Sequence, residues 1–97
     1  MTEHSRLEKD VEKFLFLNGW IVWRTHGPRT PPAELGIPDL FALRAGQLIA
    51  IEVKAGKDRL DAKQKTWAQL LVREQAIHYE VRSLDGFMEA YNERFNP

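Results

Sequence analysis

The chain has 97 residues, 43% of them hydrophobic, which is enough for one compact core and too little for two. No run approaches the ~20 consecutive apolar residues of a membrane span, and the polar start MTEHSRLEKD is unlike a signal peptide, so an intracellular, cytoplasmic protein with no membrane partner is expected. Without cysteine there is neither a disulfide framework nor a thiolate metal site, and three scattered histidines argue against structural zinc, so any metal is expected on oxygen ligands.

Fourteen basic residues balance fourteen acidic ones, and the overall charge gives no support to nucleic-acid binding. Distribution says more. From Lys54 to Arg73, Lys54, Lys57, Arg59, Lys63, Lys65 and Arg73 face only Asp58 and Asp61. That stretch either meets phosphate or is a solvated helix face.

Leu7, Val11, Phe14 and Leu15 repeat at helical spacing until Gly19, predicting a helix from about 5 to 18 with Ser5 as N-cap. The β-branched and aromatic run from Trp20 to Thr25 predicts a strand. Pro28, Pro31, Pro32 and Pro38 then exclude helix and predict a long exposed loop. DLFALR, the pair Ala45-Gly46 and QLIAIEVKA predict a β-hairpin. Its second strand is apolar on both faces, with Ile49, Ile51 and Val53 on one side and Leu48 and Ala50 on the other, as a doubly covered central strand requires. Leu60, Trp67 and Leu71 predict a helix from about Asp61 to Gln75, Ile77, Tyr79 and Val81 a further strand, and Leu84, Phe87, Met88, Tyr91 and Phe95 a last helix. The order is αβββαβα, one α/β domain over 1–97.

Glu52 and Lys54 are two apart on the central strand, so both continue the row of Leu48 and Ala50. Two charges therefore point where burial is expected, and buried charge must be paired, neutralised or metal-bound. An ion pair between them is one solution. Asp39 opens the other strand of the hairpin, and the short turn brings it beside Glu52, so two carboxylates can converge. Such a pair, completed by water and the Val53 carbonyl, suits Mg²⁺, with Mn²⁺ as a substitute. Lys54 adds a cation that can offset charge building on phosphorus.

GIPDL, the thirteen-residue step from Asp39 to Glu52, and EVK together resemble the PD-(D/E)xK nuclease signature, and the αβββαβ order is similar to that superfamily's core. Within it the chain resembles the VRR-NUC group, small nuclease domains that stand alone in phages and bacteria and are fused to a Fanconi-associated repair nuclease in eukaryotes. The likeness covers nearly the whole chain. It implies a restriction-endonuclease-like fold, with a mixed central sheet flanked by helices and an added C-terminal helix.

QKTWAQLL resembles the family's glutamine-bearing helix, which implies that Gln64 holds Lys54 or a substrate phosphate; alternatively, Asp61-x-x-Gln64 is a capping box. Glu8 is similar to the N-terminal helix glutamate of this family and of the archaeal junction resolvases, which implies a part in binding a second metal or its water. Ser5-x-x-Glu8 is a capping box in the competing reading. At ~100° per residue Glu8 lies nearer the apolar stripe than Glu12. Arg24, Arg29, Lys57, Lys63 and Lys65 are candidate DNA contacts, each with simple solvation as the alternative. His26 is not needed as a general base if a metal activates water. Trp20, Trp23 and Trp67 fit core or dimer contacts better than base stacking.

The resemblance implies a structure-specific, divalent-metal endonuclease on branched DNA, a bacterial or phage-encoded DNA-repair enzyme resolving Holliday junctions as a homodimer, since two-fold junctions call for two sites. The alternatives are a flap, nick or single-strand nuclease of phage DNA metabolism, or a non-catalytic DNA-binding module retaining the fold. A hydrolase of small phosphates lacks a glycine-rich phosphate cradle.

Overall fold

The computed structural model describes residues 2–25, 36–56 and 59–97. Helix α1 spans Glu3–Leu17 and buries Leu7, Val11 and Leu15, one apolar stripe at intervals of four. Its N-cap is Thr2, whose side chain accepts from the Ser5 amide at 3.0 Å. Ser5 thus lies inside the helix, and the expected start moves back by most of a turn. The Ser5-x-x-Glu8 capping box does not form, because Thr2 already holds the amide of the first turn.

Strand β1 (Ile21–Arg24) pairs with β2 (Leu40–Arg44), and β2 with β3 (Gln47–Val53), both antiparallel. The hairpin turns on Ala45 and Gly46 at φ 50° and 77°, two consecutive positive values that match the right-handed strand twist. Helix α2 (Ala62–Arg73) crosses to β4 (Ile77–Val81), which runs parallel to β3, and helix α3 (Leu84–Phe95) follows, capped by Ser83. The sheet order is β1-β2-β3-β4, a mixed sheet with β3 inside it. Residues 49–53 of β3 are all buried, as the doubly apolar pattern predicts.

Strand alternation divides the sheet into two faces. Leu40, Ala42, Ile49, Ile51, Val53, Ile77 and Val81 meet Leu7, Val11 and Leu15 of α1 and Phe87 and Tyr91 of α3 in the main core. Trp20 closes its end, donating Nε1–H to the Tyr91 hydroxyl at 2.8 Å beneath the Arg44 guanidinium. The opposite face carries Ala50 and Glu52 and receives α2. No helix among the described residues is long and apolar enough to cross a membrane.

Candidate active site

The site forms at the end of β3 where both helical layers reach the sheet. The register pairs Leu40 with Ile51, which carries Asp39 opposite Glu52 on the α2 face. Two contacts fix the Asp39 backbone: its carbonyl accepts from the Thr25 amide at 3.1 Å, and the preceding Pro38 carbonyl accepts from the Thr25 hydroxyl. A third is steric. Gly36, at φ +70°, lies so close to the first turn of α2 that an added Cβ would stand 2.5 Å from Lys63 Cβ and 2.9 Å from the Gln64 nitrogen. The Gly36-Ile37-Pro38-Asp39 segment is therefore seated directly on the helix that carries Gln64.

Asp39, Glu52, Gln64 and Glu8 are the buried polar and charged residues of the described chain, each under 7% exposed. Asp39 Oδ2 accepts from the Val53 amide at 2.7 Å. Glu52 Oε1 accepts from Gln64 Nε2 at 2.9 Å, and Glu52 Oε2 is buried with no hydrogen-bond partner. Burial, reinforced by the negative charge of Asp39 and opposed by Lys54, pushes the Glu52 carboxyl up to about 8. A buried carboxylate oxygen without a donor, beside a second buried carboxylate, is an environment that a hard divalent cation satisfies. The donor set fits such an ion: Asp39 and Glu52 would hold it.

Gln64 serves both readings offered by the sequence. Its Oε1 accepts from the Asp61 amide at 3.0 Å while Asp61 Oδ1 accepts from the Gln64 amide at 2.9 Å, a complete capping box, and its remaining amide hydrogens face the site. The residue it holds is Glu52, where Lys54 or a phosphate was expected. Lys54 follows Glu52 on the strand row, its amide bonded to the Val81 carbonyl at 2.9 Å.

Glu8 turns inward from α1, with Oε1 3.5 Å from Arg24 Nε and Oε2 3.8 Å from His4 Nδ1. Sequence reasoning passed over His4. Its Nε2 lies 3.0 Å from the Val53 carbonyl oxygen, the atom expected to face a metal, and 3.7 Å from Asp39 Oδ2. The available signal was the four-residue step from His4 to Glu8, which stacks both on one helix face.

Of the candidate DNA contacts, Arg24 is engaged by Glu12 at 3.0 Å as well as by Glu8, because its strand face looks toward α1. Lys63 and Lys65 are exposed on α2, but two positions apart they point in divergent directions. Arg29, Lys57 and His26 lie outside the described residues. Trp20 is core, and Trp23 stacks on Phe41 with ring centroids 5.8 Å apart while 43% exposed.

The sequence matches the VRR-NUC domain family over residues 33–85, more than half the chain and the part that holds Asp39, Glu52, Lys54 and Gln64. The chain belongs to the VRR-NUC domain family, within the PD-(D/E)xK nuclease superfamily. A solved structure described as a VRR-NUC domain superposes with a TM-score of 0.77 at 20% identity, over 95% of this chain and 97% of the other. Archaeoglobus fulgidus Hjc, described as a Holliday junction resolvase from an archaeal hyperthermophile, superposes with a TM-score of 0.59 at 25% identity, over 81% of this chain and 67% of that one. No curated protein matches the sequence. The restriction-endonuclease-like α/β fold expected from the motif is thus the fold observed.

Proposed function

We propose that this VRR-NUC domain is a divalent-cation-dependent endonuclease that hydrolyses phosphodiester bonds in branched DNA. The observation that carries the reading is the buried Asp39–Glu52 pair with its donorless Glu52 oxygen, one strand position pair away from Lys54. Mg²⁺ or Mn²⁺, when bound, supplies Lewis-acid polarisation of a phosphate oxygen and acidifies water.

The chain's own residues perform the positioning. Asp39 is held by Thr25 and by the seat of Gly36 on α2, and Glu52 by Gln64, so both carboxylates stand ready before substrate arrives. Lys54 brings a cation to the same strand face, where it offsets negative charge as phosphorus becomes five-coordinate. Exposed Lys63 and Lys65 are suited to phosphate contacts that give affinity without base readout.

Selectivity then follows the shape of the DNA, and the likeness to Hjc supports a four-way junction as substrate. Symmetric cutting of such a junction calls for two copies of the site related by a two-fold axis, hence a homodimer. Ile21, Trp23 and Leu43, exposed together on the β1–β2 part of the sheet, are apolar surface available for that contact.

The test is cleavage of labelled four-way junction, flap, nicked and plain duplex DNA with Mg²⁺, Mn²⁺ or EDTA. Paired, cation-dependent cuts confined to the junction are expected, with Asp39→Asn and Lys54→Ala preparations slower by about 100-fold or more. Equal cutting by both variants would refute the assignment. Preference for flaps or nicks would move the substrate to the alternative class, and light scattering that finds only monomer would remove the dimer.

A further inference from the structure

The sheet face that carries the site is covered over only part of its width. Strand alternation puts Ile21 and Trp23 of β1, Phe41 and Leu43 of β2 and Ala50 of β3 on the side shared by Asp39 and Glu52. Helix α2 lies over the β3–β4 part, where Ala50 is fully buried and Gln64 reaches Glu52. Toward β1 the cover ends: Leu43 is 37%, Trp23 43% and Ile21 67% exposed. Core packing, one of the two places expected for Trp23, is therefore excluded. Adjoining apolar side chains left in water mark a contact surface.

The Trp23 indole is braced on Phe41, with ring centroids 5.8 Å apart and planes tilted by 34°. Phe41 follows Asp39 by two residues on one strand row, about 7 Å, and Trp23 pairs with Phe41 across about 5 Å. Backbone to backbone, Trp23 thus stands about 8 Å from Asp39, two or three nucleotide steps at the ~3.4 Å rise of one DNA strand. Thr25, two residues beyond Trp23, donates its amide to the Asp39 carbonyl at 3.1 Å and ties the indole's strand to the carboxylate's. Distance separates the possible occupants. A second copy seated on Trp23 would crowd the place of the phosphate at Asp39, whereas Ile21 and Leu43 lie about 7 Å farther along the strands. A base turned out of the helix fits beside Asp39, with its own phosphate within reach of the site. Charge agrees: Lys54 at the end of β3, and Lys63 against Gly36 where the Asp39 segment begins, bring cations to this end of the sheet.

We propose that Trp23, braced by Phe41, stacks on one unpaired base beside the phosphodiester cut at Asp39 and Glu52, and so selects DNA that presents a base out of the helix. The proposal rests on reading Asp39 and Glu52 as the cleavage site. Every base has an aromatic face, so a stacking platform tolerates any sequence and selects by DNA structure. A continuous duplex hides those faces in its own stack, and freeing one is least costly at an unpaired nucleotide. Ile21 and Leu43 are left for contact with a second copy.

The experiment titrates the full chain, in EDTA so that nothing is cut, with four-way junction, flap and plain duplex DNA carrying the fluorescent base 2-aminopurine at successive positions around the branch point. Wild type should quench the probe at an unpaired position of branched DNA and leave the plain duplex unchanged. Trp23→Leu keeps an apolar side chain and loses the aromatic face. It should abolish the quenching and weaken branched DNA about tenfold or more, with plain duplex altered less than about twofold, and Trp23→Phe should restore most of both. Quenching that survives Trp23→Leu, or branched DNA bound and cut by that variant as by wild type, would overturn the platform while leaving the Asp39–Glu52 site standing. Light scattering that finds Trp23→Leu monomeric where wild type is dimeric would give the indole to a second copy and also overturn it. A wild type that binds none of these DNAs, and cuts none with Mn²⁺, would overturn both readings. Should Trp23→Leu not fold, wild-type tryptophan emission decides: branched DNA should quench it more than plain duplex, and emission unmoved by any of the DNAs would overturn the proposal.

Discussion

Gln64 bonds Glu52 Oε1 through its side-chain nitrogen at 2.9 Å while its side-chain oxygen closes the cap of α2 at Asp61. One amide therefore joins helix initiation to the buried Glu52 carboxyl, and substitutions can separate the two roles. Gln64→Ala removes both partners and should cost about 1 kcal/mol, the usual worth of a helix-capping interaction. Gln64→Glu keeps an oxygen for the Asp61 amide but presents no donor to Glu52. With saturating divalent cation to offset the added carboxylate, it should melt close to wild type yet cut DNA far more slowly. Thermal denaturation beside cleavage rates checks this, and parallel loss of both in Gln64→Glu would show that the amide acts only through stability.

The raised Glu52 carboxyl makes stability depend on pH in a definite direction. It ionises near 4.5 in the unfolded chain and at about 8 in the fold, first because it is buried and next because Asp39 is negative. Between those values the native state holds the extra proton, so metal-free protein should lose stability as pH rises from about 4.5 to about 8. Below that window the group is protonated in both states and none of that stability is lost. Urea midpoints measured with EDTA across pH 5 to 8 should fall, and Glu52→Gln should flatten the slope; an unchanged slope would show that Glu52 is not the group responsible. Divalent cations bind the ionised form, so their affinity should rise with pH over the same window.

Away from the site, the Trp20 indole N–H has its bond to Tyr91 Oη in a fully buried setting. Tyr91→Phe keeps the ring packing against Phe14 and Phe95 and deletes only the acceptor. An unsatisfied buried donor costs about 1 to 3 kcal/mol, so the melting temperature should fall while nuclease activity per folded molecule is unchanged. A cleavage defect exceeding the folded-fraction loss would contradict this.

What could be read in the sequence was what strand and helix periodicity carry. Glu52 and Lys54 stood out because they break an apolar row, and Asp39 because a two-residue turn fixes which strand positions oppose each other. Gln64 showed as an amide on an apolar helix stripe, though its partner could not be told, since the distance from α2 to β3 is a tertiary quantity. Ser5 imitated an N-cap so well that Thr2, one turn earlier, was missed. His4 escaped for a related reason: before the helix reaches its first apolar residue no stripe marks an inward face, and its partners Asp39 and Val53 are remote in the chain. The run of lysines suggested one basic surface, but helical geometry turns Lys63 and Lys65 apart.

Gly36 and Gly46 provide a matched pair for testing how the fold aims Asp39. Both have positive φ, +70° and +77°, so alanine at either position carries the same kind of backbone penalty, about 1 kcal/mol. Their surroundings differ. A Cβ at Gly46 meets nothing within 4 Å, whereas one at Gly36 runs into Lys63 Cβ at 2.5 Å and the Lys63 backbone carbon at 2.7 Å, atoms of a helix that cannot yield locally. Gly46→Ala should therefore lower the urea midpoint slightly and leave cutting intact. Gly36→Ala must lift the segment leading to Asp39 off α2, and should destabilise by a further 1 to 3 kcal/mol, roughly the cost of overpacking. Because Asp39 moves with that segment, cation affinity and cleavage should drop even at temperatures where the variant is fully folded. Cation titration of both variants well below their melting points separates the two effects, and normal affinity in folded Gly36→Ala would show that Asp39 is positioned by Thr25 and Val53 alone.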